Sequence, residues 1–171
     1  SLFCAVDTVN RQTATSPSGL VWTPKTYIST DPFPSHGLGS GGGVFVGFWR
    51  NALAGTFKAI TSTDTNTWTA GPELTPAIPV GNYVIAYNGT RFIALGKDIA
   101  NNGISATSTD GLNWSTVTVY PFGAWGAVCW TGTQFIGMPT AGTIVVQSTD
   151  GLAWTNSTLG SSFQAQSVAS A

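Results

Sequence analysis

The chain is 171 residues long, carries six basic and seven acidic side chains for a net charge of −1, and contains 21 glycines. That length can bury the core of one compact domain, whereas so few Lys and Arg exclude the basic patch that nucleic-acid binding requires. No apolar run approaches the length of a membrane span, and no segment shows sustained helical periodicity. We therefore expect a single all-β domain over residues 1–171, without membrane insertion.

Four units of similar length follow one another along the chain, and each contains a heptapeptide that ends in tryptophan. The tryptophans are separated by 46, 46 and 40 residues, and a phenylalanine stands 19 to 23 residues before each of them. A repeat of this length indicates an array of supersecondary units, each unable to bury its apolar face alone. The tryptophans are Trp22, Trp68, Trp114 and Trp154, and the phenylalanines are Phe3, Phe45, Phe92 and Phe135.

The first two units carry the weaker copies of the heptapeptide, at 16–22 and 62–68. The first copy has Ser18 where the later copies have Asp, and the second has Thr65 where they have Gly. An Asp side chain accepts backbone hydrogen bonds in such a turn, and Gly takes backbone angles that are closed to other residues. We therefore expect these two turns to be looser than the other two.

The third unit, 82–119, has the clearest strand pattern. Residues 82–87 are rich in β-formers, and Asn88-Gly89-Thr90 is typical of a hairpin turn. Three more strands are predicted at 91–95, 104–107 and 114–119, with a tight turn at 108–111. The fourth unit, 126–158, repeats this order, so each unit is predicted to be a four-stranded antiparallel meander of the size of a propeller blade.

The heptapeptide Ser-x-Asp-Gly-x-x-Trp resembles the Asp-box (BNR) repeat of sialidase-like β-propellers, in a form one residue shorter than the commonest one. The resemblance covers essentially the whole chain and extends to propeller domains of phage tail and bacterial surface proteins. It implies about four blades, at approximately 163–171 joined with 1–27, 36–73, 82–119 and 126–158. Residues 164–170 are predicted to form a strand beside Leu2–Val6 and so close the ring. The alternatives are part of a larger propeller, or half a ring completed by a second copy.

The repeated heptapeptide residues are predicted to be scaffold. Asp side chains would hold the turns and the indoles would pack between neighbouring blades. The set assigned this structural role is Ser62, Asp64, Trp68, Ser108, Asp110, Gly111, Trp114, Ser148, Asp150, Gly151 and Trp154.

The loops that follow the second and fourth strands of each unit share one face of a propeller, called the loop face below. Charged groups among exposed aromatic rings suit carbohydrate binding, which makes this face the candidate ligand site. The alternative is that the loops are merely solvated and that Trp125 belongs to the core. The candidate ligand-binding residues are Arg11, Arg50, Lys97, Asp98 and Trp125.

Catalytic groups are sparse in this sequence. A sialidase-type site requires an arginine cluster and a Tyr–Glu pair, and the chain has a single glutamate, Glu73. An ordinary glycosidase requires paired carboxylates, which only Asp7, Glu73 and Asp98 would supply, and Ser/His/Asp chemistry would depend on His36 alone. No catalytic residue, cofactor or metal site is predicted. Cys4 and Cys129 are expected to be free, buried thiols.

The interpretation that these observations favour is a non-catalytic structural or adhesion module of a virion, such as a phage tail or fibre, or of a cell surface. Its location would be extracellular or virion-associated, and its partners would be glycans or other surface subunits, with a homo-oligomer compatible with this use. The chain lacks an initiator Met and a signal-peptide pattern, so we expect a mature or excised fragment. The alternative function is a glycoside hydrolase of sialidase type.

Overall fold

A computed structural model describes residues 2–27, 32–51, 56–74, 83–97, 102–120, 125–165 and 167–168. These residues form strands and turns and contain no helix, which confirms the all-β class. The strands are β1 (Phe3–Asp7), β2 (Gln12–Ser16), β3 (Thr23–Thr26), β4 (His36–Gly41), β5 (Val44–Asn51), β6 (Thr56–Ser62), β7 (Thr69–Glu73), β8 (Val84–Tyr87), β9 (Phe92–Lys97), β10 (Gly103–Ser108), β11 (Ser115–Tyr120), β12 (Trp125–Trp130), β13 (Phe135–Pro139), β14 (Gly142–Ser148) and β15 (Thr155–Phe163).

The strands form four antiparallel sheets, and sequence neighbours pair within each sheet. The first sheet is β1–β3, the second is β4–β7, the third is β8–β11 and the fourth is β12–β15. The hairpin turns at Gly89 and Gly132 have positive φ angles of 98° and 94°, as a tight turn between twisted strands requires. The predicted series of meanders is therefore present, with strand ends shifted by one or two residues.

Each sheet packs face to face on the next, and a core cluster fills each of the three seams. Phe48 of the second sheet packs on Tyr83 and Ala94 of the third, and Leu95 of the third packs on Trp125 and Phe135 of the fourth. The strands approach closely because β4 is rich in glycine: a Cβ on Gly37 would lie 2.6 Å from the carbonyl oxygen of Tyr83. The cluster at the seam between the first and second sheets includes Tyr27, Trp49 and Trp68.

The two end sheets are covered on one face only. In the third sheet, β10 is buried at every position, whereas β1 alternates between exposed and half-buried residues and β13 between buried and half-buried ones. An alternating pattern marks a sheet with one covered face. Within the described residues, the outer faces of the first and fourth sheets are therefore not packed against each other.

The predicted ring closure is not detected in the described part of the chain. The first sheet has three strands there, and no C-terminal residue pairs with β1. Instead, the Ala165 amide donates to the Pro139 carbonyl at 3.1 Å, so the chain after β15 stays with the fourth sheet. Residues 166 and 169–171 of the predicted closing strand lie outside the described residues.

Candidate functional site

The turns at 108–114 and 148–154, called box turns below, are held by their aspartates. Asp110 Oδ1 accepts hydrogen bonds from the amides of Leu112 and Asn113, both at 2.8 Å, and from the Ser108 hydroxyl at 2.9 Å. Slight burial alone would raise the pKa of Asp110, but the hydrogen bonds from Asn113, Leu112 and Ser108 outweigh it and hold the pKa well below the usual range. Asp150 makes the equivalent bonds, and its pKa is lowered by the Leu152 and Ala153 amides.

The glycine and tryptophan of each box turn lock neighbouring sheets together. Gly111 has φ of +78°, and a Cβ there would lie 2.6 Å from Val46 of the preceding sheet. Trp114 Nε1 donates to the Gly111 carbonyl at 2.9 Å while its ring packs on Phe48 with centroids 5.2 Å apart. These contacts give the box residues a structural part in the fold.

The box turn at 62–68 keeps its geometry although Thr65 replaces glycine, so the expectation of a looser turn is wrong here. Asp64 Oδ1 accepts from the Asn66 and Thr67 amides at 2.8 and 2.9 Å, as in the later turns. Thr65 is fully buried with φ of 61°, an unusual backbone angle for a β-branched residue. The turn therefore keeps its hydrogen bonds, and the cost of replacing glycine is a strained backbone at Thr65.

Tyr27, which sequence reasoning did not single out, accounts for this difference. Its hydroxyl donates to the Thr65 carbonyl and accepts from Trp68 Nε1 at 3.2 Å. The Thr13 hydroxyl lies 3.2 Å from the same oxygen. In the two later turns the indole N–H donates to the glycine carbonyl of its own turn. In this turn the Trp68 indole donates to the Tyr27 hydroxyl instead, and Tyr27 thereby couples the first sheet to the second.

The first box turn, at 16–22, has fewer bonds, as predicted. Ser18 Oγ accepts from the Leu20 amide at 3.3 Å, where an aspartate would reach two amides. Trp22 is 42% exposed, compared with 7% for Trp68. This turn lies on the uncovered face of the first sheet.

The predicted ligand-binding residues lie at the ends of four different sheets. Arg11 is in the β1–β2 turn with its guanidinium 5.1 Å from the Phe33 ring centre, and Lys97 ends β9. Trp125 is 3% exposed and belongs to the core cluster of the third seam, so its ring faces protein and not solvent. Asp98 lies outside the described residues. Their joint action as a binding site remains a prediction.

Several polar side chains, among them the predicted residue Arg50, lie at the loop-face end of the second sheet. His36 begins β4, Arg50 is near the end of β5, and Lys58 is the register partner of Glu73, which ends β7. The Phe57 ring centre lies 5.5 Å from that of the His36 ring and 5.7 Å from the Arg50 guanidinium. The register places His36 and Arg50 on the face that Phe57 shares. Lys58 and Glu73 point to the opposite face, because successive residues of a strand alternate between faces.

His36 is half-buried in this cluster. Burial first, and the Arg50 charge second, lower its pKa below the usual value, so the imidazole is neutral at pH 7. Its Nδ1 lies 2.9 Å from Ser35 Oγ, which also accepts from the Arg50 amide at 3.2 Å. Ser35 therefore ties β4 to β5.

Glu73 differs from the other acidic residues in the described part of the chain. Asp64, Asp110 and Asp150 hold box turns, and Asp7 accepts hydrogen bonds from the Val9 and Asn10 amides at 3.0 and 3.1 Å. Glu73 is exposed at the end of a strand and holds no turn. Among the acidic residues in the described part of the chain, Glu73 is the one whose carboxylate does not accept hydrogen bonds within a turn.

The described residues contain no cluster of His, Cys, Asp and Glu suited to a metal ion. No helix in the same residues has the length and apolar character needed to cross a membrane. Cys4 and Cys129 are free, as expected, but half-buried where full burial was expected. Desolvation raises the pKa of Cys4 to about 11, so this thiol is protonated and unreactive at neutral pH.

No protein-family model and no curated protein matches this chain. Among solved structures, it is similar to an α-L-arabinanase of Penicillium chrysogenum complexed with arabinobiose, with a TM-score of 0.53 and 11% identity over 96% of this chain. The match covers 60% of the arabinanase chain. This likeness supports an all-β, propeller-like fold. The GH74 enzyme of Niastella koreensis matches over 90% of this chain and 41% of its own at 13% identity, with a TM-score of only 0.25.

The comparison corrects the functional interpretation that the sequence favoured. The non-catalytic module of a virion or cell surface was the wrong main interpretation, because a solved structure with a similar fold is an arabinanase. The alternative was a glycoside hydrolase of sialidase type, and the comparison agrees better with its coarser part, a glycoside hydrolase.

Proposed function

We propose that this chain is the whole or part of a glycoside hydrolase whose active site lies on the loop face, beside the second sheet. The observation that carries the proposal is Glu73, an exposed carboxylate that holds no turn and lies opposite Lys58 in the strand register, at the end of the sheet where His36 and Arg50 lie on the other face. The similarity to an arabinanase supports the reaction class. The box repeat, with its aspartates bound into turns, supports an Asp-box type of propeller.

The proposed chemistry needs two carboxylic groups on either side of a glycosidic bond. One donates a proton to the leaving oxygen, and the other acts as nucleophile or activates water. We assign Glu73 to one of these roles and Asp98, by its sequence position after a second strand, to the other. Arg50 and Lys58 supply donors for sugar hydroxyls, and the neutral His36 can both donate and accept a hydrogen bond.

The test is hydrolysis of arabino-oligosaccharides and of a sialylated reporter glycoside, followed by release of reducing sugar. We expect turnover of at least one of these substrates, and a loss of about 100-fold or more in Glu73→Gln and in Asp98→Asn, because each removes an acid–base group. The sialylated substrate separates the sialidase-type alternative from an arabinanase-like activity.

Asp64→Asn is the matched control. It makes the same carboxylate-to-amide change on a box turn and retains an oxygen that can accept the two amide hydrogen bonds. It should keep its activity. An activity that survives both Glu73→Gln and Asp98→Asn, or no turnover of any of these glycosides, would remove the proposal.

A further inference from the structure

At each of the three seams, the box turn of one sheet contacts the sheet before it, and the second and third seams use the same docking contact. The box turn of each sheet rests on the face of the sheet before it: Gly111 lies against Val46 and Thr61, and Gly151 lies against Ile93. At the first seam, the Thr65 carbonyl accepts from Tyr27. A box turn is therefore one half of a sheet-to-sheet interface, and at the second and third seams the other half includes the second-strand residue that it touches.

The first sheet has a box turn against which no other described residue is docked. Leu20 and Val21 of that turn are 86% and 73% exposed, and Phe3 on the same face is 48% exposed. The equivalent Phe92 and Phe135 are 2% and 0% exposed, because a preceding sheet covers them. Trp22 of the same turn is 42% exposed, so four large apolar side chains lie uncovered around this box turn: Phe3, Leu20, Val21 and Trp22. Such a concentration marks an interaction surface.

The fourth sheet has the opposite half of the contact, which is only partly covered. Ile136 and Met138 on β13 are half-buried, whereas their equivalents Ile93 and Leu95 on β9 are fully buried under the next sheet. Beside Ile136, its register partner Gln147 donates to the Ser157 hydroxyl at 2.8 Å, so the side-chain amide on this face already has a partner. The face can accept an apolar box turn without leaving that amide unpaired.

We propose that two copies of this chain associate head to tail, with the first sheet of each docked on the fourth sheet of the other. The repeat places Gly19 and Leu20 of one copy against Ile136 of its partner, as Gly151 lies against Ile93 within the chain. Because both halves occur once on every copy, two such contacts close a ring of eight sheets, a number within the range of known propellers. The occupant is a second copy because the two faces are complementary halves of one contact and do not cover each other within the described chain.

The experiment is light scattering coupled to size-exclusion chromatography of the 171-residue chain over a range of concentrations. We expect a particle of twice 17.7 kDa. Leu20→Asp should weaken the association by more than about tenfold, and it should leave the fold intact because the side chain is almost fully exposed. Leu152→Asp is the matched control: Leu152 holds the same repeat position in the fourth unit, is 43% exposed, and should leave the dimer unchanged.

Mixing two variants tests the orientation. Leu20→Asp destroys one half of the contact and Ile136→Asp the other, so each should be monomeric alone. Together they retain one intact pair of faces and should form a one-to-one heterodimer. The proposal is overturned if the unmodified chain stays monomeric at hundreds of micromolar, forms open-ended larger assemblies, remains dimeric in both variants, or if the mixture gives no heterodimer.

Discussion

The box turns require glycine for two separate reasons: the backbone is left-handed at this position, and the preceding sheet leaves no space for a side chain. Gly111 and Gly151 have φ of +78° and +74°, and a Cβ at either would overlap the preceding sheet. Gly132 has φ of +94°, and a Cβ there would meet nothing within 4 Å, so this residue meets only the first requirement. Comparing substitutions at the three glycines therefore distinguishes the cost of backbone strain from the cost of overpacking.

We predict that Gly111→Ala and Gly151→Ala destabilise the fold more than Gly132→Ala. The left-handed backbone costs about 1–2 kcal/mol at each position, and overpacking adds about 1–3 kcal/mol at the two box turns. Urea denaturation of the three variants measures the difference. Equal losses in all three would show that the sheets separate easily enough to accept a methyl group.

The Tyr27 hydroxyl serves two buried groups at once, the Thr65 carbonyl and the Trp68 indole. Tyr27→Phe should lower the free energy of unfolding by about 1–3 kcal/mol, since buried polar groups lose their partner. Tyr87→Phe is the control: its hydroxyl bonds to the Gly89 carbonyl at 2.7 Å in an exposed hairpin, where water can replace it. If both variants lose the same stability, Tyr27 does not couple the two sheets.

At the scale of the element, the box turns depend on ionised aspartates. The pKa values of Asp64, Asp110 and Asp150 are lowered in the folded state, so their contribution to stability is fully present above the unfolded pKa of about 4. It decreases as the pH falls through the lower folded values. We expect the midpoint of urea denaturation to fall between pH 6 and pH 3. An Asp110→Asn/Asp150→Asn double variant should show a smaller fall, since it keeps the acceptor oxygens but loses two titrating groups. An unchanged pH dependence would contradict the role of these bonds.

Most elements could be predicted from the sequence because each one is defined locally. The hairpin at Asn88-Gly89 and the turns at Asp110 and Asp150 carry their own hydrogen-bond chemistry, and the repeat places the strands between them. The preservation of the turn at Thr65 could not be predicted, because it depends on Tyr27, which lies 38 residues away in the chain. Likewise, the grouping of Lys58 with Glu73 depends on the register of β6 and β7, which a bulge shifts between Lys58 and Ile60.

At the scale of the whole molecule, repetition predicts how sheets stack but not where the stack ends. The sequence indicated a closed ring from complementary termini, whereas the described C-terminal segment stays beside Pro139 and, among the described residues, the outer faces of the two end sheets are not packed against each other. The positions of the loop-face residues could not be predicted from the repeat either, because these residues do not recur from unit to unit. Its predicted members consequently lie at the ends of four sheets, and Trp125 lies in the core.

The four box tryptophans hold equivalent positions in the repeat but contribute differently to the free energy of unfolding, because the sheets bury them to different extents. Trp114 packs on Phe48 at the second seam, so Trp114→Ala should lower the free energy of unfolding by about 3–5 kcal/mol. Trp22 is 42% exposed on the open face of the first sheet, and Trp22→Ala should cost much less in the isolated chain. Urea denaturation at low protein concentration, where any association is absent, compares the two. A loss at Trp22 as large as that at Trp114 would mean that the first box turn is covered within the chain. The first sheet would then have no free face to offer a second copy.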